Sequence, residues 1–126
     1  MIRPYAAADE AALFALLREE GDDWKDYWGH SGRERYAQAL ALSSTFVAYE
    51  GDALAGFVRC KNDHDFEVVV YDLLVRKQSW GRQIGRALMS HVAASFPDVP
   101  VYVMSDVDSY YEKQGYRRIG SVFQVE

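Results

Sequence analysis

Phe66 to Met89 reads FEVVVYDLLVRKQSWGRQIGRALM, three pieces in the order strand, loop, helix. The run from Phe66 to Val75 is nearly continuously apolar and rich in β-branched and aromatic residues, which predicts a long strand near the centre of a sheet. A polar link runs from Arg76 to Trp80. Ile84, Leu88, Val92 and Ser95 then mark one face of a helix that Pro97 closes. A strand that ends in a loop and opens a helix leaves backbone N–H groups unpaired at the helix start, where the helix dipole also favours an anion. Glycines at 81 and 85 let that backbone approach a phosphate closely. The letters disfavour two other phosphate loops: the dinucleotide fingerprint GxGxxG and the nucleotide loop GxxxxGK followed by Ser or Thr are both missing.

Toward the N-terminus, the Gly51-Asp52 pair suits a tight hairpin turn between strands at Ser44–Glu50 and Ala53–Lys61. Asn62 to Asp65 makes a second turn into the long strand. Leu13, Leu16 and Leu17 recur at helical spacing from about Ala8, with Asp9 read as the N-cap, and Ile2 to Tyr5 is read as a short strand before them. Gly21 interrupts that pattern, residues 22–32 mix aromatic and polar side chains without a clean period, and Tyr36, Leu40 and Leu42 suggest a second helix. Toward the C-terminus, Val101 to Met104 is a short strand, Asp108 caps a short helix that ends at Gly115, and Tyr116 to Val125 is read as the last strand. The order is βα(α)βββαβαβ, a mixed α/β architecture.

The 126 residues are 49% apolar, enough for one core, and no linker or repeat divides the chain, so a single domain over residues 1–126 is expected. A net charge of -5 argues against nucleic acid or an anionic membrane surface as the main partner and favours a small cationic one. The single cysteine, Cys60, rules out an intrachain disulfide, and no Cys/His spacing suggests a metal site. No apolar run has the length of a membrane span, and the N-terminal run is too short and too acidic for a signal peptide. A reducing cytoplasm is the expected location.

Two motifs carry the chemistry. Leu73-Leu74-Val75 followed by Trp80-Gly81-Arg82-Gln83-Ile84-Gly85 resembles the acetyl-CoA motif of the GNAT acetyltransferases, in which a strand ending in L-x-V leads into a loop Q/R-x-x-G-x-G/A and a helix. Trp80 stands where the family has Arg or Gln, and Gln83 where it has the first glycine. Tyr110-Tyr-Glu-Lys-Gln-Gly-Tyr116 is similar to the family's C-terminal aromatic-Tyr-Glu-Lys-x-Gly-aromatic pattern, and Ile2-Arg3-Pro4 before an acidic residue and a helix is similar to its N-terminus. The resemblance implies the GNAT fold, a mostly antiparallel mixed sheet flanked by helices. It implies acetyl-CoA as the donor, with the backbone of Leu73, Leu74 and Val75 along the pantetheine arm and Gly81, Arg82, Gln83, Ile84, Gly85 and Arg86 around the pyrophosphate. It implies, too, that Tyr111 protonates the departing thiolate, a role that suits a phenol whose ordinary pKa of roughly 10 is near that of an alkyl thiol.

An alkyl-ammonium acceptor must lose a proton before it attacks a thioester. The resemblance implies a carboxylate on the central strand for that base, with Asp72 and Glu67 as the candidates and Asp72 ranked first; their different parity places them on opposite faces of a regular strand. Asp106 and Asp108 read as caps. The resemblance also implies that the acceptor wall lies after the first helix, in residues 19–28, where acidic side chains interleave with Trp24, Tyr27 and Trp28 and can hold a cation by charge and aromatic faces. The function so read is acetyl transfer from acetyl-CoA to a primary amine of a small molecule or peptide, in a ternary complex. The competing reading is a non-catalytic acyl-CoA-binding or regulatory module of the same fold. A homodimer is admitted by either.

Overall fold

The computed structural model describes residues 1–126. Strand β1 (Ile2–Pro4) is followed by three helices, α1 (Glu10–Glu20), the single turn α2 (Lys25–Trp28) and α3 (Arg33–Leu42). Strands β2 (Ser44–Glu50), β3 (Ala53–Asp63) and β4 (Glu67–Val75) form an antiparallel meander. Helix α4 (Ile84–Ser95), strand β5 (Val101–Val103) and helix α5 (Asp108–Lys113) complete the regular structure. The sheet order is β1-β2-β3-β4-β5, with only the β4–β5 pair parallel. The mixed α/β fold with a mostly antiparallel sheet is therefore as the sequence predicts.

Hydrophobic patterning divides the core between the two faces of the sheet. Leu13, Phe14, Leu16 and Leu17 of α1, with Tyr36 and Leu40 of α3, pack on Val47, Leu54, Phe57 and Leu74. Leu88, Met89 and Val92 of α4 cover the other face, against Phe46, Val58, Cys60, Val68 and Val70. The Gly51-Asp52 turn closes the β2–β3 hairpin as expected, with Gly51 at φ 60.

Three details differ from the sequence reading. The Asp9 carboxylate does not cap α1; it accepts from the Ala6 N–H at 2.8 Å and takes both Arg3 nitrogens at 2.8 and 2.7 Å, while the Tyr49 hydroxyl donates to it at 2.8 Å. This buried carboxylate thereby ties β1 and β2 to the entrance of α1, and the Arg3 guanidinium lowers its pKa to about 2. Asp108 lies inside α5 and pairs with Arg118, making no cap hydrogen bond. The strand expected over residues 116–125 does not form. A strand needs a neighbour's ladder of hydrogen bonds, and here β5, three residues long, pairs only with β4. Ile119, Val122, Phe123 and Val125 consequently stay exposed.

Candidate active site

The site begins with an irregularity in β4. Pairing with β3 runs Asn62↔Val68, Lys61↔Val69, Cys60↔Val70 and then Arg59↔Asp72, so Tyr71 is one residue too many. Such a bulge bends the strand and exchanges its faces. Before it, Val68 and Val70 point toward α4; after it, Leu74 joins the opposite core while Leu73 and Val75 lean toward α4. The Arg76 N–H bonds the Ala55 carbonyl at 2.8 Å, so beyond the bulge the even-numbered backbone groups face β3 and those of Leu73 and Val75 face away from it. On that side β5 pairs only with Val68 to Val70. The two parallel strands therefore diverge, leaving a length of β4 edge without a partner strand.

A cleft of 740 Å³ opens there, large enough for an extended cofactor arm. Leu73, Leu74 and Val75 form one wall, the loop and helix start from Ser79 to Arg86 form the floor, and Asp106, Val107, Tyr110, Tyr111 and Gln114 form the other wall. Of the nine residues expected around the cofactor, eight line this cleft. Arg82 does not.

The loop owes its shape to two left-handed residues, Gly81 at φ 84 and Gln83 at φ 61. Gln83 immediately precedes α4 and its carbonyl accepts the Ala87 N–H at 3.0 Å, the first helical bond. The N–H groups of Ile84, Gly85 and Arg86 thus have no intrahelical acceptor, and these residues line the cleft. Their dipoles converge where an anion would be stabilised without any cofactor-specific side chain. A Cβ at Gly85 would overlap the Tyr110 hydroxyl and touch Val75, so a larger residue there would push the tip of the Tyr110 side chain aside. Trp80, one of the two departures from the family pattern, donates its indole N–H to the Val75 carbonyl at 2.9 Å, so one polar group at the end of β4 is already used.

Arg82 reaches out of the cleft to Glu50 at the end of β2, with Nη1 to Oε2 at 2.7 Å. The other oxygen of Glu50 accepts the hydroxyl of buried Ser79 at 2.5 Å and lies 3.5 Å from Arg76 Nη2. The Ser79 and Arg82 hydrogen bonds hold the Glu50 carboxyl at about 2, well below the usual range. Nothing in the sequence around Glu50 marked it, because its partners lie 29 and 32 residues away.

Tyr111 enters from α5, half-buried, with Tyr110 edge-on at 5.0 Å and Tyr116 stacked at 6.0 Å. Burial, reinforced by Tyr110 and Asp106, pushes its phenol up to about 12, so it is a neutral donor throughout the physiological range. Burial in the core likewise raises the Cys60 thiol to about 11.

The carboxylates fare differently. Asp72 is buried at 6% exposure, and its Oδ2 accepts both the Arg59 Nε at 2.6 Å and the Tyr36 hydroxyl at 2.7 Å. No protein group bonds Oδ1, and no buried side-chain polar atom is left unpaired, so Oδ1 keeps contact with solvent, although Asp72 is not among the residues that line the cleft. Glu67 begins β4 opposite Asp63. The bulge places it on the same face as Asp72, contrary to the parity argument, but at the far end of the strand, roughly 25 Å from Val75 by strand rise. It does not join the cleft. Among the three aromatics, Trp24 packs edge-on to Phe57 at 6.4 Å and Trp28 donates to the Gly21 carbonyl at 3.1 Å, both covering the core. Tyr27 also packs there, edge-on to Tyr36 at 4.8 Å, yet it is close enough to Asp72 and Asp106 that, after burial, their charges raise its phenol. None of the three lines the cleft.

The sequence model of the Acetyltransferase (GNAT) family matches residues 12–116, and the chain belongs to that family. No curated protein matches by sequence comparison. Among solved structures, a GNAT family acetyltransferase from Streptococcus pneumoniae superposes with a TM-score of 0.77 at 22% identity, covering 99% of this chain and 97% of that one. An aminoglycoside acetyltransferase from an uncultured soil metagenomic sample gives a TM-score of 0.71 at 21% identity over 100% and 97% of the two chains. Both share the fold. No helix is long and apolar enough to cross a membrane.

Proposed function

We propose that the protein transfers an acetyl group from acetyl-CoA to a primary amine of a small molecule or peptide, by direct attack in a ternary complex. The observation that carries this reading is the cleft that joins the unpaired start of α4, the open edge of β4 and the Tyr111 side chain in one continuous space. In this reading the amides of residues 84–86 hold the pyrophosphate and the backbone of Leu73 and Val75 aligns the pantetheine arm. The thioester then lies in the gap between β4 and β5. The amine approaches from the α1–α3 face, past Tyr27, and gives up its proton through Asp72 Oδ1, directly or through water. Nitrogen attacks the thioester carbonyl, the C–S bond breaks, and the thiolate takes the Tyr111 proton. A reducing cytoplasm suits the buried, unpaired Cys60.

Release of free thiol from acetyl-CoA across an amine panel that includes aminoglycosides and peptide amines tests the activity. Tyr111→Phe is expected to lower kcat roughly 100-fold or more with unchanged affinity for acetyl-CoA, as loss of a positioned acid does. An unchanged kcat would remove Tyr111 from this role. A second reading, a non-catalytic acyl-CoA-binding module, draws support from Trp80, which occupies the Val75 carbonyl. Binding of acetyl-CoA without turnover on any amine favours that module, and absence of binding removes both readings.

A further inference from the structure

We propose that Glu50 is a positioning residue for the cofactor loop, acting through Ser79 and Arg82, neither of which it shares a strand or turn with. The proposal rests on the reading of the cleft as the acetyl-CoA site. Glu50 ends β2, at the hairpin that packs beneath the loop, and its carboxylate meets the loop at three points. Ser79 donates to Oε1 at 2.5 Å, Arg82 bonds Oε2 at 2.7 Å and Arg76 lies 3.5 Å from Oε1. Ser79 is 1% exposed and its oxygen also accepts from Arg76 Nε at 2.9 Å, so the hydroxyl's only proton and one of its lone pairs are engaged. These three donors span the loop from its departure from β4 to the residue before Gln83.

Two consequences follow. First, the loop amides face the cleft only while Gly81 and Gln83 keep left-handed backbone, and a non-glycine residue holds that conformation when its surroundings impose it. The Glu50 carboxylate supplies that constraint from outside the cleft. Second, Arg82 is held away from the cleft and its charge is met, which leaves Arg86 as the arginine that lines it. Anion binding therefore relies on backbone dipoles, and Glu50 contributes by holding the donors in place, although it is itself an anion.

Calorimetry with CoA on the full chain, with steady-state kinetics beside it, tests this on Glu50→Ala and Glu50→Gln. The glutamine can still accept from Ser79 but loses the charge that holds Arg82. The expected result is a CoA Kd raised roughly tenfold in Glu50→Ala and about threefold in Glu50→Gln, with kcat at saturation within about twofold of the parent, the scale of losing one to three charge-assisted bonds. The Glu50→Ala, Arg82→Ala double variant is expected to bind no worse than the weaker single one, because both remove the same link. Affinity unchanged or tighter in Glu50→Ala would overturn the proposal, since a released Arg82 would then serve as a phosphate ligand. Amide hydrogen exchange of residues 76–83 in the free protein separates this from a failure of the acetyl-CoA reading. Faster exchange confined to that loop in Glu50→Gln supports the clamp even if the parent binds no CoA, and unchanged exchange removes it.

Discussion

Asp72 and Tyr111 sit on different elements, β4 and α5, and their surroundings suit them to different proposed tasks. Tyr111 has its proton secured by burial and has a rotatable hydroxyl in the cleft. Asp72 has one oxygen committed to Arg59 and Tyr36, so any proton it accepts must arrive at Oδ1. Asp72→Asn is expected to have two effects of separable origin. Removing the counter-charge of an Arg59 side chain that is 14% exposed is expected to destabilise by about 2–4 kcal/mol, read by urea unfolding. Thiol release is expected to fall by roughly 100-fold at saturating amine, beyond what a folded but destabilised enzyme would lose. Normal turnover in a correspondingly destabilised Asp72→Asn would leave the carboxylate as a purely structural partner of Arg59. That pairing was invisible in the sequence: residue 72 was legible as a carboxylate on the long strand, whereas Arg59 became its neighbour only through strand register.

At the scale of the element, the β3–β4 pair sets the mouth of the cleft. Gly56 faces Val75, and a Cβ built on it would lie 2.6 Å from the Leu74 carbonyl oxygen and 3.2 Å from the Val75 Cα. Both are backbone atoms of a central strand, so no side chain can swing aside. Gly56→Ala is expected to destabilise by about 1–3 kcal/mol, measured by thermal or chemical unfolding, and to weaken CoA binding because the displaced strand end carries Leu73 to Val75. A neutral effect on both would mean that β4 accommodates the methyl by sliding. The elements themselves were largely readable. Continuous apolar β-branched residues mark a buried strand and the Leu88–Val92 spacing marks the α4 stripe, because both patterns reflect burial on a repeating geometry. The bulge at Tyr71 was not readable. An extra residue in one strand has meaning only against its partner, and it reversed the parity inferred for Glu67 and Asp72.

For the whole molecule, ionisable groups held on both sides of neutrality define a pH window of stability. Asp9 has its pKa lowered from 3.8 to about 2 by Arg3, so its contribution is complete above about pH 4 and is lost as pH falls toward 2. With the carboxylate 3% exposed, that contribution is about 2 kcal/mol. Cys60 and Tyr111 are raised from 9.0 to about 11 and from 10.0 to about 12, so the unfolded chain ionises first and stability falls as pH rises through 9 to 12. Urea denaturation from pH 2 to 7 is expected to show the acid loss, and Asp9→Asn is expected to flatten it while lowering stability at pH 7. An acid limb of the same slope in that variant would assign the loss to other carboxylates.

The sequence by itself determined the order of elements as far as α5, the mixed sheet with helices on both faces, the family and the position of the loop and helix start that line the cleft. Each of these is written in local periodicity, in glycine placement or in short-range motif spacing. Only the tertiary structure decided that Arg82 turns to Glu50 rather than into the cleft, that Glu67 lies far from the cleft, that Trp24 and Trp28 serve the core, and that residues 116–125 have no strand to pair with. These outcomes depend on hydrogen-bond partners and packing neighbours tens of residues away, and chain closure, register and a single bulge choose those partners.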